Sequence, residues 1–340
     1  MMKAVYLTKF GKPEEAFEIR ETNIPKCAPN QVLIKAEAFG LNFADVLARK
    51  GLYGETPERF CIIGYEVVGR VEAQGKEVEE NYVGKRVVAL TRFGGYAEYA
   101  VTDHRAMGII AENYPAEKAL ALATQYTTAH ICFKESVNLY SGDRVLIHAA
   151  AGGVGIALCQ MALNAGCEIF ATAGSEKKLE FLRNMGVHHA INYESRDYSE
   201  VITSLLNENK IDAGFNSIAG NTIKKDWKLL GAGGKLVVFG AASRVGKGSL
   251  LGGIGLVFKT GFLTPLLFIV QSKSLIGINI LKLGDHKPGL VARSLKAVIA
   301  EAETGKLDPV VHNIYKIQEL NEAHLALENR ETIGKTAIFW

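Results

Sequence analysis

The 340-residue chain is poor in cysteine and proline, with five of one and eight of the other. Cys27, Cys61, Cys132, Cys159 and Cys167 are odd in number, scattered and free of any CxxC pair. That excludes a disulfide-stapled scaffold and a zinc ribbon, and it reads as reduced thiols in a cytoplasmic protein. Eight prolines beside 35 glycines exclude a collagen-like or proline-rich disordered chain. An excess of one charge is also lacking: 39 basic against 36 acidic residues leave +3, with no basic block. Nucleic-acid binding would show as a basic patch or stripe, so no nucleic-acid partner is expected. The start, Met1-Met-Lys-Ala-Val-Tyr-Leu7, has no apolar stretch after its charge and reads as a strand rather than a signal peptide.

One long apolar run is present, at 250–270, broken by the single charge of Lys259 and interrupted by Gly252, Gly253, Gly255, Gly261 and Pro265. A membrane span needs about 20 predominantly apolar residues. The glycines and proline favour a buried or interface-covering segment instead, with peripheral membrane contact left open. The chain length predicts about two domains. Residues 1–123 carry short Val-, Ile- and Tyr-rich runs at 3–7, 31–39, 66–74, 86–91 and 96–101, which predict a β-rich unit. From 144 to 280 short apolar runs at 145–147, 169–173, 190–192, 211–215, 236–239 and 275–280 alternate with helical patterns or glycine-rich loops. That rhythm predicts an α/β fold with a doubly wound parallel sheet. The tail predicts helices at 290–302 and 320–328 and strands at 310–315 and 336–340.

The main chemical signal is Arg144-Val-Leu-Ile-His-Ala-Ala-Ala-Gly-Gly-Val-Gly155. Against G-x-G-x-x-G, Ala150 stands in the first glycine position and Gly152 and Gly155 in the second and third. A predicted strand precedes the turn and a helix over 154–165 follows, closing at Gly166. Gly152 would let backbone approach a pyrophosphate, and Gly155 would let helix and strand pack closely. The helix N-terminus would offer N–H groups and dipole to the phosphates. The second strand of an NAD site usually ends in Asp or Glu. Here it ends Ala171-Thr-Ala-Gly-Ser175, followed by Glu176, Lys177 and Lys178. Small residues and lysine leave room and charge for a 2′-phosphate, so NADPH is the expected cofactor. Lys177 reads as a solvated helix face, and Glu176 as a first-turn helix residue.

These residues resemble the zeta-crystallin-like quinone oxidoreductase branch of the medium-chain dehydrogenase/reductase superfamily, and within it the vesicle amine transport protein 1-like reductases. The resemblance spans essentially the whole chain. It is carried by Gly40-Leu-Asn-Phe-Ala-Asp45, Arg49-Lys-Gly-Leu-Tyr53, Gly64-Tyr-Glu-Val-Val-Gly69, Val83-Gly-Lys-Arg-Val87, Gly95-Tyr-Ala-Glu98, the 150–155 turn, Ile191-Asn-Tyr193 and Gly234-Lys-Leu-Val-Val-Phe-Gly240. It implies a GroES-like catalytic domain at 1–123, joined by 290–340, and a Rossmann NADPH-binding domain at 124–289. It also implies that Ala151, Gly152, Gly153 and Val154 hold the cofactor phosphates. Lys178 and Tyr193 would hold the 2′-phosphate, with Gly174 and Ser175 making room. Thr127 would touch the nicotinamide side, Asn216 and Phe239 would line the cofactor, and Asn42, Asp45, Tyr53 and Tyr65 would lie near the transferred hydride. A homodimer is implied, with 274–280 as its edge strand.

Zinc alcohol dehydrogenases resemble the chain at Gly64–Gly69 but carry a metal-binding His where Tyr65 stands. Their four-cysteine lobe has no counterpart in Ala89-Leu-Thr-Arg-Phe-Gly94. The remaining Cys27, Cys61, His104 and His148 show no ligand spacing, so no metal is expected. Without a Lewis acid, hydride transfer to a quinone or an α,β-unsaturated carbonyl is easier to support than alcohol oxidation. The protein would supply orientation and hydrogen-bond donors, with Asn42, Tyr53 and Tyr65 as catalytic candidates. Asn42 could equally cap a turn, and the tyrosines could only shape an apolar slot. Asp45 reads as a structural acceptor or N-cap. The alternatives are a membrane-associated NADPH-binding protein of low turnover and a zinc-type alcohol dehydrogenase.

Overall fold

The Val- and Ile-rich runs near the amino terminus form strands, as their patterning requires. The structure, a computed structural model, describes residues 1–58, 60–240 and 265–340. Its strands in chain order are β1 Met2–Leu7, β2 Phe17–Thr22, β3 Gln31–Leu41, β4 Cys61–Ile62, β5 Glu66–Gln74, β6 Arg86–Leu90, β7 Tyr99–Asp103, β8 Met107–Ile109, β9 Arg144–Ile147, β10 Glu168–Ala173, β11 His189–Asn192, β12 Ile211–Asn216, β13 Leu230–Val238, β14 Ser274–Gly277, β15 Val311–Lys316 and β16 Lys335–Phe339. By compactness the chain divides into Met1–Thr127 with Ile280–Trp340, and Thr128–Asn279.

The first unit holds a three-stranded sheet in the order β2-β1-β4 and a seven-stranded sheet in the order β15-β16-β3-β5-β6-β8, with β7 on β3. The carboxy-terminal strand β16 pairs antiparallel with β3, placing Thr336 opposite Leu41. Inward-facing Val5, Ile34, Phe39, Val67, Val87 and Ile338 share one core with Tyr96 and the Leu320–Glu328 helix residues Leu320 and Ala323. Several elements here had no sequence prediction, among them β2, β4, β8, the Phe43–Arg49 helix and the Ala116–Ala121 helix.

The second unit is a six-stranded parallel sheet in the order β11-β10-β9-β12-β13-β14. Numbered from its first strand, that is the 3-2-1-4-5-6 order of a doubly wound dinucleotide fold, as the alternation predicted. Its short strands are apolar on both faces because helices cover both. The Gly153–Asn164 helix follows β9 directly and stops at Gly166, whose φ of +75° suits a glycine terminator. One boundary differs from expectation. The apolar run to Ile280 is not one strand: β14 ends at Gly277 and an Ile280–His286 helix begins. Among the described residues β14 does lie at the sheet edge.

The interface-covering segment expected over 250–270 falls mainly on 250–264, outside the described residues. At its end the Pro265–Gln271 helix is described, and its Leu266, Ile269 and Val270 are 68%, 77% and 74% exposed. Among the described residues no helix is long and apolar enough to cross a membrane.

Candidate active site

The glycine turn begins where β9 ends. His148 N–H donates to Phe215 O at 3.0 Å and Ala150 N–H to Thr172 O at 3.0 Å, so neighbouring strand ends fix the turn from both sides. Between them Ala149 takes φ +48°, a strained value for a residue with a side chain. Gly152 N–H closes the turn onto Ala149 O at 2.9 Å, and Gly152 caps the helix. A Cβ on Gly155 would collide with Ala149 O and stand 2.6 Å from Ala150 Cα, which is the close packing assigned to the third glycine. At Gly152 the constraint is different. Its φ is −81° and a Cβ would meet only Ala149 O, at 3.2 Å. Internal packing therefore demands glycine weakly there, whereas close approach by a phosphate would demand it strongly. Ala151 is buried, while Gly152, Gly153 and Val154 are partly exposed at the free N–H end of the helix.

The ends of β10 and β11, paired in parallel, bring the expected 2′-phosphate residues together. A Cβ on Gly174 would lie 2.7 Å from the Tyr193 hydroxyl oxygen, so Tyr193 occupies the space a side chain would fill. Tyr193 N–H in turn donates to Ala173 O at 3.2 Å. Ser175 caps the Glu176–Asn184 helix, Lys178 is half-buried in its first turn, and Lys177 is exposed. Glu176 pairs with Arg183 at 2.6 Å on the same exposed face. Glycines at the turn, with a lysine and a phenol at the neighbouring strand ends, form a lining whose chemistry suits a nicotinamide dinucleotide.

Asn216, fully buried at the end of β12, spends all its hydrogen-bonding capacity inside the protein. Its Oδ1 accepts Ile218 and Ala219 N–H at 2.8 Å each, and its Nδ2 donates to Thr222 Oγ1 at 2.8 Å and Asp226 Oδ2 at 2.5 Å. Asp226 also accepts the Tyr198 hydroxyl at 2.7 Å and faces His148 Nε2 at 3.0 Å, while His148 Nδ1 meets Thr172 Oγ1 at 3.0 Å. Burial and the Asp226 charge push the Tyr198 phenol well up, keeping it a donor. This network ties the strand ends under the glycine turn. Asn216 O accepts Phe239 N–H at 3.1 Å, which sets partly exposed Phe239 beside that strand end.

In the first unit, Thr127 is buried and its hydroxyl donates to Leu122 O at 2.8 Å. Asn42 is the N-cap of the Phe43–Arg49 helix, and Asp45 Oδ2 accepts its backbone N–H at 2.8 Å. Burial pushes the Asp45 carboxyl up to about 8, so it is largely protonated at neutral pH. The Asn42 side chain runs to Glu66 and Lys335. Tyr65 is 3% exposed, and its hydroxyl has no hydrogen-bond partner among the described residues. Its ring meets Tyr53 edge-on at 6.0 Å and Phe93 at 5.3 Å. Burial, then the Asp45 charge, push the Tyr65 phenol well above its ordinary value. The Tyr53 phenol rises to about 12 through burial and Glu55. Phe93 takes φ +87°, and Arg92, paired with Glu55 at 2.8 Å and Asp285 at 3.1 Å, stacks over its ring at 5.1 Å.

The sequence reading missed Glu66, Lys335, Phe93, Asp226 and Tyr198. Glu66 had a signal: a carboxylate at the head of an apolar strand, Glu-Val-Val, must find a partner. Among the described residues no three His, Cys, Asp or Glu side chains gather as a metal site.

Residues 28–112 match the alcohol dehydrogenase GroES-like domain, and residues 153–287 the zinc-binding dehydrogenase family. The chain is 34% identical over 336 residues to a probable quinone oxidoreductase of Schizosaccharomyces pombe, covering 97% of this chain and 95% of that protein. It is 30% identical over 336 residues to a synaptic vesicle membrane protein VAT-1 homolog of Danio rerio, covering 98% of this chain and 69% of that protein. A solved mycobacterial protein complexed with NADPH superposes with a TM-score of 0.86 at 25% identity, over 100% of both chains.

Proposed function

The chain belongs to the medium-chain dehydrogenase/reductase superfamily, and from that premise we propose that it is an NADPH-dependent, zinc-independent reductase of quinones or α,β-unsaturated carbonyls. The observation that carries this reading is the buried hydroxyl of Tyr65, without a hydrogen-bond partner among the described residues, at the position where zinc-dependent relatives place a histidine ligand. A bound NADPH would supply two electrons and one proton as hydride and leave as NADP⁺. The residues of this chain do the rest. Ala151, Gly152, Gly153 and Val154 hold the pyrophosphate by backbone, and Gly174, Ser175, Lys178 and Tyr193 take the 2′-phosphate. Thr127, Asn216 and Phe239 shape the nicotinamide side. Tyr65, Tyr53 and the Asn42 amide donate to the acceptor oxygen as it gains charge. Because burial holds both phenols protonated, they act as donors rather than bases, and the second proton of the reduced acceptor comes from water. The scattered thiols support a cytoplasmic location, and the one-sided pairing of β14 supports a homodimer formed along that edge. Light scattering that returned only monomer at micromolar concentration would reject the dimer.

The test is a panel of quinones and enones run with NADPH and NADH in parallel. Turnover with NADPH and much less with NADH supports the reading, and no turnover with any acceptor overturns it. A second reading, a membrane-associated NADPH-binding protein of low turnover, draws on the exposed Leu266, Ile269 and Val270 and on the vesicle-membrane relative. Liposome flotation separates the two readings, and fast turnover without flotation rejects the second.

A further inference from the structure

We propose that Glu66 and Lys335 are a positioning pair, a buried charge pair that sets the orientation of the Asn42 amide and the course of the chain leading to Thr127. The inference rests on the reductase reading above. Both side chains are wholly shielded from solvent and lie 269 positions apart in sequence, on β5 and β16. Lys335 Nζ donates to Glu66 Oε1, to Leu41 O at 3.0 Å and to Asn42 Oδ1 at 3.2 Å. An ammonium has three hydrogens, and all three are used. Glu66 Oε1 also accepts Asn42 Nδ2–H at 2.9 Å, and its Oε2 accepts Thr124 N–H at 3.0 Å.

These contacts settle which way the Asn42 amide points. Its oxygen faces an ammonium and its nitrogen a carboxylate, so a flipped amide would set like poles against each other. One Nδ2 hydrogen goes to Glu66, and the other is the one we assign to the acceptor oxygen. The same carboxylate fixes the backbone at Thr124, three residues before Thr127, and Glu66 adjoins Tyr65 in the chain. One carboxylate therefore reaches the surroundings of three proposed site residues.

The fold makes room for the pair at a cost. Gly40 on β3 has no side chain, and a Cβ there would collide with Glu66 Oε1 and Lys335 Cε. A buried ion pair is often no more stabilising than apolar residues of similar size. Its retention at this spot is better explained by the geometry it imposes than by stability.

The test compares wild type with the neutral double variant Glu66→Gln/Lys335→Met, which removes both charges together and keeps side-chain size. The expected result is a melting temperature near wild type, an NADPH dissociation constant within about two-fold, and kcat lower by about ten- to a hundred-fold through misplaced donors. A folded double variant with kcat within two-fold of wild type would overturn the proposal. If the variant does not fold, selective ¹⁵N-asparagine labelling of the wild-type protein decides. The Asn42 side-chain amide, assigned by its loss in Asn42→Asp, should exchange with solvent slowly. Exchange as fast as that of an exposed asparagine would equally overturn the pair. A wild-type protein that turns over no acceptor sinks the reductase reading instead, leaving the amide exchange to judge the pair.

Discussion

Tyr65 and Asp45 are both buried groups without a full set of partners, yet they make opposite predictions. Tyr65 keeps a donor hydroxyl that nothing in the described protein satisfies, a costly arrangement unless a ligand completes it. Tyr65→Phe removes the donor and keeps the ring contacts with Tyr53 and Phe93. We expect kcat to fall by about a hundred-fold, the scale for one lost oxyanion donor, with the NADPH dissociation constant unchanged. Steady-state kinetics beside a fluorescence titration check this, and an unchanged kcat would return Tyr65 to a purely packing role. Asp45 bears on stability. Its folded pKa of about 8 lies far above the ordinary carboxylate value of about 3.9. Between those values the native state keeps a proton that the unfolded chain releases. Stability is therefore greatest below about pH 4 for this group and declines as pH rises through 8, by at most about 1.4 kcal/mol per pH unit. Urea unfolding at pH 5, 6, 7 and 8 should show a downward slope that Asp45→Asn flattens. Equal slopes in the two proteins would contradict it. The sequence singled out Tyr65 as a candidate donor at the second position of Gly64–Gly69. Asp45 was legible as an acceptor near a helix start, but the Glu66–Lys335 pair beside it, 269 positions apart in sequence, was not, because only folding brings β5 and β16 together.

At the scale of elements, the glycine turn separates two reasons for being glycine. At Gly155 a Cβ strikes the backbone of Ala149 and Ala150, which cannot swing aside. At Gly152 it meets one carbonyl oxygen at 3.2 Å and an ordinary φ. Gly155→Ala should therefore cost about 1–3 kcal/mol as overpacking, a fall of about 2–4 °C in melting temperature per kcal/mol. Gly152→Ala should change stability little, since a compatible Gly→Ala change can even gain about 0.4–1 kcal/mol. Both should weaken NADPH binding by at least about ten-fold if the pyrophosphate seats at this turn. Normal affinity in Gly152→Ala would place the pyrophosphate elsewhere. Elements with a clear period were legible from sequence: β5, β9 and β12, and the Leu320–Glu328 helix. Strand β2 was not, because Phe17–Thr22 is largely exposed and owes its shape to pairing with β1, residue for residue from Met2 opposite Thr22. The run to Ile280 was misread because an apolar stretch alone does not separate the end of a strand from the start of a helix.

For the whole molecule, the division into Met1–Thr127 with Ile280–Trp340 and Thr128–Asn279 makes thermal unfolding a test of which unit carries the cofactor. A ligand bound only by the native state stabilises by RT ln(1 + [L]/Kd), about 2.7 kcal/mol at a hundred times Kd. At about 2–4 °C per kcal/mol that is roughly 5–10 °C. The residues proposed to hold the phosphates, Gly152, Gly155, Gly174 and Tyr193 among them, lie wholly within Thr128–Asn279. NADPH should therefore raise the transition that reports this unit. Trp227, packed at 5.1 Å edge-on against Phe268 inside it, serves as the probe. The only other tryptophan, Trp340, closes the other unit, so Trp340→Phe leaves fluorescence that reports the cofactor-binding unit alone. In that variant NADPH should shift the melt by the stated amount, NADH by clearly less because Lys178 and Tyr193 gain no 2′-phosphate, and excess chelator not at all. An equal shift with both nucleotides would remove the 2′-phosphate site from the account. A melt that collapses on chelation would mean that a metal helps hold the native state, and the zinc-independent reading would fall with it.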